Sequence, residues 1–318
     1  MSNEHETILV TGAAGFIGAN LCRRLVEEGQ RVHAVVREAS RMWRLSDVLD
    51  RLVVHEADIC DRAAVETVVG TVRPRVIYHL ATHGAYPYQD DATRILLTNV
   101  FGLWNVLNAC NSVGYALFVN VGSSSEYGQK GYAMRETDVL DPNSFYAVAK
   151  SGQTLLCQHV ARTQGRTIVT IRPFAVYGPY EEPTRLIPKL MCAVRDRTPI
   201  DMVSPTTSRD FVYIDDVIDV LMRMDALAEC AGEILNVGTG VQTSLREVVD
   251  ITSQLNGEPV RAQWGKLPPR IWDTDVWVAD ISKIYRLIGW KPQVTVREGL
   301  SKCLDWFARH RDLYPGAG

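Results

Sequence analysis

The chain has 318 residues, 46% of them hydrophobic, with 34 basic and 37 acidic side chains and a formal net charge of −3. No block of like charge suggests a nucleic-acid or membrane partner, residues 1–6 lack the apolar stretch of a secretory signal, and no apolar run reaches membrane-spanning length, so the expected location is the cytoplasm. Seven scattered cysteines, none in Cys-x-x-Cys, read as reduced thiols and not as a disulfide framework or a zinc site.

The first apolar run, residues 7–10, leads into Thr11-Gly12-Ala13-Ala14-Gly15-Phe16-Ile17-Gly18 and then an amphipathic segment over 19–28. Strand, glycine turn and helix are the context in which a glycine motif binds a dinucleotide. Gly12 permits a tight turn, Gly15 a close approach to a pyrophosphate, and Gly18 close packing of helix on strand. The backbone of Ala14, Phe16 and Ile17 joins them, at a helix end whose free N–H groups and dipole favour anions.

Further strands are expected at 31–36, 52–54, 76–80 and 117–121, with helices at 63–71 and 92–113 between them. A helix over 146–163 leads to a strand at 167–172. This alternation predicts α/β architecture: a Rossmann-type doubly wound parallel sheet over residues 1–172. Prolines at 173, 179, 183, 188, 199 and 205 then break the rhythm. Residues 173–318 should mainly form a smaller, loop-rich α/β subdomain for substrate. Residues 215–226 read as a helix, and 234–237 as a strand that could return to the main sheet.

The second strand ends in Arg37, where an acid would bind the ribose 2′-hydroxyl of NAD. Arg37 and Arg41, with Ser40 and Arg44, suit a 2′-phosphate, which points to NADP(H) rather than NAD(H). The alternative is a solvated basic turn. Asp58, beside Ile59, should lie near the adenine, or else cap the next helix. Tyr146 and Lys150 are four residues apart, on one helix face. A neighbouring ammonium lowers a phenol's pKa and lets it exchange a proton near neutrality, as oxidation or reduction at a carbinol carbon requires.

These blocks come in a telling order. With Asp58-Ile59, His79-Leu80-Ala81, Asn99, Gly122-Ser123-Ser124-Ser125-Glu126-Tyr127-Gly128, residues 172–179, 209–217 and 236–240, the chain resembles the extended short-chain dehydrogenase/reductases that act on nucleotide sugars. The resemblance covers nearly the whole chain. It implies a catalytic Ser124 beside Tyr146, with Lys150 also holding the nicotinamide ribose. Leu80, Ala81, Thr82 and Pro173 would line the cofactor cleft. Tyr177 and Lys189 lie where the family holds the nucleotide, Ser125 would meet the sugar, and Arg209 and Arg270 are candidates for the substrate diphosphate or else surface arginines paired with acids. From their positions, Asn143, just before Tyr146, could reach the sugar, and His83, in the insert after the fourth strand, could donate to it or be a loop histidine with no role in the site. The resemblance also implies a homodimer through a four-helix interface built from residues 92–113 and 146–163.

Two positions depart from the family pattern. Ala175 stands where Asn is usual. The serine block is one residue short of the dehydratase pattern: aligned from its left end, Glu126 is the dehydratase base; aligned from Tyr127-Gly128, that position is Ser125; otherwise Glu126 is a salt-bridged loop carboxylate. The run looks most like that of reductases of nucleotide-linked 4-keto-6-deoxyhexoses, such as the GDP-4-keto-6-deoxymannose reductases. The first expectation is therefore NADPH-dependent reduction at carbon 4. A 4-epimerase or a 4,6-dehydratase retaining its cofactor is the alternative, and a non-catalytic dinucleotide sensor lies outside the enzyme class.

Overall fold

The computed structural model describes residues 6–270 and 273–314; residues 1–5 of the polar N-terminus lie outside that range. The chain folds into two compact units. The first comprises residues up to Gly128, Val139–Arg172 and Ile218–Leu235; the second comprises Gln129–Asp138, Pro173–Val217 and the chain from Asn236 on.

The first unit begins β1 (Thr7–Thr11), α1 (Phe16–Glu27), β2 (Arg31–Val36), β3 (Val53–Glu56), α2 (Arg62–Val72) and β4 (Val76–His79). It continues with α3 (Ala92–Leu96), a π-helical turn (Leu97–Gly102), α4 (Leu103–Val113), β5 (Leu117–Val121), a 3-10 turn (Ser124–Tyr127), α5 (Phe145–Gln164) and β6 (Ile168–Pro173). Five registered pairings join β1 to β6, all of them parallel. Strands β1, β4, β5 and β6 are buried almost throughout, as a sheet with helices on both faces demands, whereas β3 at the edge is largely exposed. The strand order across the sheet is β11-β6-β5-β4-β1-β2-β3, where β11 is the return strand Ile234–Val237. Succession reverses between β1 and β4, and in open sheets of this kind ligands bind beyond the strand ends at such a switch point.

The second unit contains β7 (Ala175–Tyr177), α6 (Leu186–Asp196), β8 (Ile200–Asp201), β9 (Ser208–Arg209) and β10 (Phe211–Tyr213), with short two-stranded pairings in place of a broad sheet. The longer helices Leu245–Asn256 and Val296–Arg309 each start with a capping box, Ser244/Glu247 and Thr295/Glu298. Asp210 is buried and accepts from the backbone N–H groups of Thr239, Gly240 and Ala279, tying three segments together.

The two units do not divide at residue 172 alone. Residues 129–138 join the second unit through the Met134–Ala279 bridge and the bond from Asn236 N–H to Glu136. Residues 218–235 join the first, where Tyr78 Oη donates to the Leu221 carbonyl and Gly232 N–H to that of Ile168. The helix expected over 92–113 is interrupted by the π-helical turn, and helix α2 is capped by Asp61, not Asp58. No disulfide forms among the described residues, and no described helix is long and apolar enough to cross a membrane.

Candidate active site

Gly12 follows β1 with φ +73°, and a Cβ there would lie 2.6 Å from Ala81 N and the Leu80 carbonyl carbon. The segment that follows β4 therefore presses on the glycine turn at the switch point. Gly15 N–H donates to the Gly12 carbonyl at 3.0 Å, and a Cβ on Gly18 would strike that same oxygen. Helix α1 starts with Gly15 as its cap, with no side-chain capping bond and no acid in its first turn. This end can take an anion, and the close-packed glycines leave the backbone bare for it, so the turn fits a dinucleotide pyrophosphate.

At the end of β2, Arg37 and Arg41 are exposed, while Arg44 is buried over the Trp43 ring and reaches the Ala14 carbonyl at 3.5 Å. Asp58 accepts from Cys60 N–H and, at 2.6 Å, from Arg94. Burial pushes its carboxyl up, but these partners outweigh that and hold it below the usual range. Ile59 is core. Asn99, wholly buried in the π-helical turn, clamps the segment after β4: its Oδ1 accepts from His83 N–H at 2.8 Å and from Thr82 Oγ1 at 3.2 Å, and its Nδ2 donates to the His83 carbonyl at 2.8 Å. Next comes Gly84, where a Cβ would sit 3.4 Å from the Tyr146 Cβ. The clamped loop thus passes beside the phenol-bearing helix. Burial, then Arg37 and Arg94, push the His83 pKa down.

Ser144 caps α5 by accepting from Ala147 N–H, which sets Tyr146 in the first turn and Lys150 one turn later. Lys150 is buried; its Nζ donates to the Val121 carbonyl at 2.9 Å and lies 5.9 Å from the Tyr146 ring centroid. Burial pulls its pKa down to about 8, against the opposing charge of Glu126. Beneath it, buried His79 has Nδ1 2.9 Å from Thr11 Oγ1 and Nε2 3.4 Å from Gln153 Nε2, linking β1 to α5. Burial, then Lys150, pull the His79 pKa down to about 3, so the imidazole is neutral.

The serine turn is capped by Ser123, whose Oγ accepts from Ser125 N–H and donates to Ser125 Oγ at 3.1 Å. Ser124 is buried and Ser125 half-buried. Glu126 differs from the expectation of a proton-abstracting base. Its Oε1 accepts from Ser123 N–H at 2.8 Å, and its Oε2 takes Arg172 Nε at 2.8 Å and Nη2 at 2.7 Å. Asn143 is half-buried in the approach to α5.

In the second unit, Arg209 pairs with Asp273 at 3.0 Å and lies 5.5 Å from the Trp277 ring; the other Asp273 oxygen accepts from Arg270 N–H. Burial lowers the Arg209 pKa, Asp273 opposes this, and the cations Arg185 and Arg270 add to the lowering. Asp273 thus takes the Arg209 guanidinium on one oxygen and the Arg270 backbone N–H on the other. Lys189 is exposed on α6, and Pro173 is buried at the end of β6. Tyr177 is corrected from a substrate contact to a core residue: it is 1% exposed, packs edge-on against Phe211 and Tyr213, and donates to the Val296 carbonyl at 3.4 Å. Arg94, Asn99 and Arg172 were absent from the expected site because no local pattern ties them to Asp58, His83 or Glu126.

UDP-glucuronate 4-epimerase of Thermodesulfobacterium geofontis is 29% identical over 317 residues, 96% of this chain and 97% of that protein. dTDP-glucose 4,6-dehydratase of Streptomyces griseus is 26% identical over 320 residues, 96% and 95% of the two chains. Among solved structures, UDP-glucuronic acid 4-epimerase from Bacillus cereus, in complex with UDP-glucuronic acid and NAD, superposes with a TM-score of 0.83 at 26% identity, covering 95% of this chain and 99% of that one. The model of the NAD dependent epimerase/dehydratase family matches residues 8–238, a span holding the glycine turn, the serine turn and the Tyr146–Lys150 helix, and the chain belongs to that family.

Proposed function

We propose that this protein is a nucleotide-sugar 4-epimerase with a retained nicotinamide dinucleotide. The observation that carries the reading is the state of Glu126. With both carboxylate oxygens engaged and the side chain wholly buried, it is not placed to remove a proton from a sugar, whereas Tyr146 and Lys150 keep what epimerisation needs. The glycine turn with the backbone of Ala14, Phe16 and Ile17, together with Leu80, Ala81 and Thr82, would hold the dinucleotide, which when bound supplies the hydride acceptor and donor. Tyr146 would take the proton from the 4-hydroxyl and later return it to the 4-oxygen, and inversion would need the hydrogen of carbon 4 to come back on the opposite face of that carbon. Lys150 stabilises the phenolate meanwhile. Ser124 orients the reacting oxygen, His83, Ser125 and Asn143 meet the sugar, and Lys189, Arg209 and Arg270 meet the diphosphate. The relatives named above, epimerases and a dehydratase, support this over the ketoreductase expected from the serine run.

A second reading, NADPH-dependent 4-ketoreduction, is favoured by one observation: Arg37, at the place where an NAD enzyme would offer an acid, is exposed and near His83. The Bacillus cereus relative was solved with NAD, and NAD is the cofactor assigned under the main reading. A single assay separates the two. UDP-glucuronic acid, UDP-glucose and 4-keto-6-deoxyhexose nucleotides are incubated with the protein and NAD or NADPH. Appearance of the 4-epimer without net change in nicotinamide absorbance is expected; stoichiometric loss of NADPH overturns the epimerase reading.

The chain is also proposed to pair with a second copy. Leu97, Phe101 and Trp104, and Phe145, Val148 and Leu155 on α5, are exposed apolar side chains on neighbouring helical segments of the first unit.

A further inference from the structure

Glu126 has no step of its own in the proposed reaction, yet its carboxyl is wholly buried; burial pushes its pKa up, and Arg172 and the Ser123 N–H oppose this. Its turn begins where β5 ends. There the Val121 carbonyl receives Lys150 Nζ at 2.9 Å, and two residues on Ser123 N–H donates to Glu126 Oε1 at 2.8 Å. Arg172, from β6, closes the arrangement on Oε2 and lies 4.6 Å from the Tyr127 ring centroid. The two charged side chains are 0% and 1% exposed. A buried ion pair is no more stabilising than well-packed apolar residues of similar volume, so packing alone does not account for it.

We propose that Glu126, held by Arg172, is a positioning residue for Lys150: it fixes the turn that receives the ammonium and supplies the negative charge that keeps the ammonium protonated beside Tyr146. The inference rests on the proposed role of Lys150. The other titratable groups facing Lys150 do not provide that charge. His79 on β4 is neutral; Cys157, further along α5, is a thiol that burial keeps protonated; Tyr146 presents its ring at 5.9 Å. Burial pulls Lys150 down to about 8 even with Glu126 opposing. Without Glu126 the ammonium would lose its proton nearer neutrality, and Tyr146 would lose its neighbouring cation.

The test compares wild type, Glu126→Gln, and the double variant Glu126→Leu/Arg172→Met, which removes both charges. Two readouts are taken: the alkaline limb of turnover, and urea stability against pH. The second does not need turnover. Unfolded lysine keeps its proton to about pH 10.4, so once folded Lys150 has released its own, stability rises with pH. Removing Glu126 should shift the turnover limb and the onset of that rise downward by about one pH unit, a tenfold change in proton affinity. The double variant should regain the stability lost in Glu126→Gln, which strands Arg172, and keep the shifted limb and onset. A double variant with restored stability and wild-type values of both overturns the proposal. Absence of wild-type turnover on every nucleotide sugar would sink the proposed function instead, and the stability onset would still decide this point.

Discussion

At the residue scale, one hydroxyl bears most of the proposed chemistry. Tyr146→Phe removes the proton carrier and leaves the ring, the Ser144 cap and the packing against Gly84 in place. Turnover should fall about 10²–10⁴-fold, the usual worth of a positioned acid–base group, while dinucleotide content and urea midpoint stay at wild-type values. Undiminished epimerisation by this variant would remove Tyr146 from the mechanism. The pairing of Tyr146 with Lys150 was legible because it needs only helical spacing and a capping serine. Glu126 was not. Two alignments gave it different roles, and what decides between them is Arg172, 46 residues away in sequence and beside it in space. Tyr177 shows the same limit: a tyrosine in a motif looks available until the Val296 carbonyl and two aromatic rings are seen around it.

At the element scale, the glycine turn was readable in sequence because its requirement is steric and local. The structure adds which atoms enforce it: a side chain at Gly12 meets Leu80 and Ala81 just after β4, and one at Gly18 meets the Gly12 carbonyl. Gly18→Ala must therefore push α1 away from the turn. It should lower stability by about 1–3 kcal/mol, the range for overpacking a tight contact, and weaken dinucleotide binding in calorimetry; unchanged binding would mean that the turn does not hold the phosphates. The π-helical turn was not readable, because residues 92–113 keep one apolar helical pattern through it. Only the clamp of Asn99 on Thr82 and His83 reveals why the geometry changes there. Between β2 and β3, His33 Nδ1 lies 2.8 Å from His55 Nε2, and the rings stack 5.1 Å apart. Burial, then His55 and Arg31, pull the His33 pKa down to about 4. An unfolded histidine takes its proton near pH 6.5, so between these values the unfolded chain binds more protons, and the stability contributed at neutral pH is lost as pH falls through that window. His33→Gln should flatten the fall of the urea midpoint between pH 6.5 and about 4, by at most about 1.4 kcal/mol per pH unit. An identical slope in the variant would mean that His33 takes its proton freely in the folded protein.

At the scale of the whole molecule, the question is what covers the apolar side chains around α5. Phe101 and Phe145 are each 58% exposed and Leu155 is 57% exposed, on helices whose other faces already pack into the core of the first unit. Sequence alone could not separate this surface from a fully buried helix, because Ile95 and Leu103 point inward from the same stretch that turns Leu97 and Phe101 outward. A second copy covering this face would bury large aromatic side chains at the centre of an interface, where such residues carry most of the binding energy. Light scattering should then give the mass of two chains. Phe101→Glu combined with Leu155→Glu, both outside the proposed active site, should give the mass of one while the thermal transition stays cooperative. A monomeric wild type, or a dimer untouched by both charges, would show that the pairing uses another surface or does not occur.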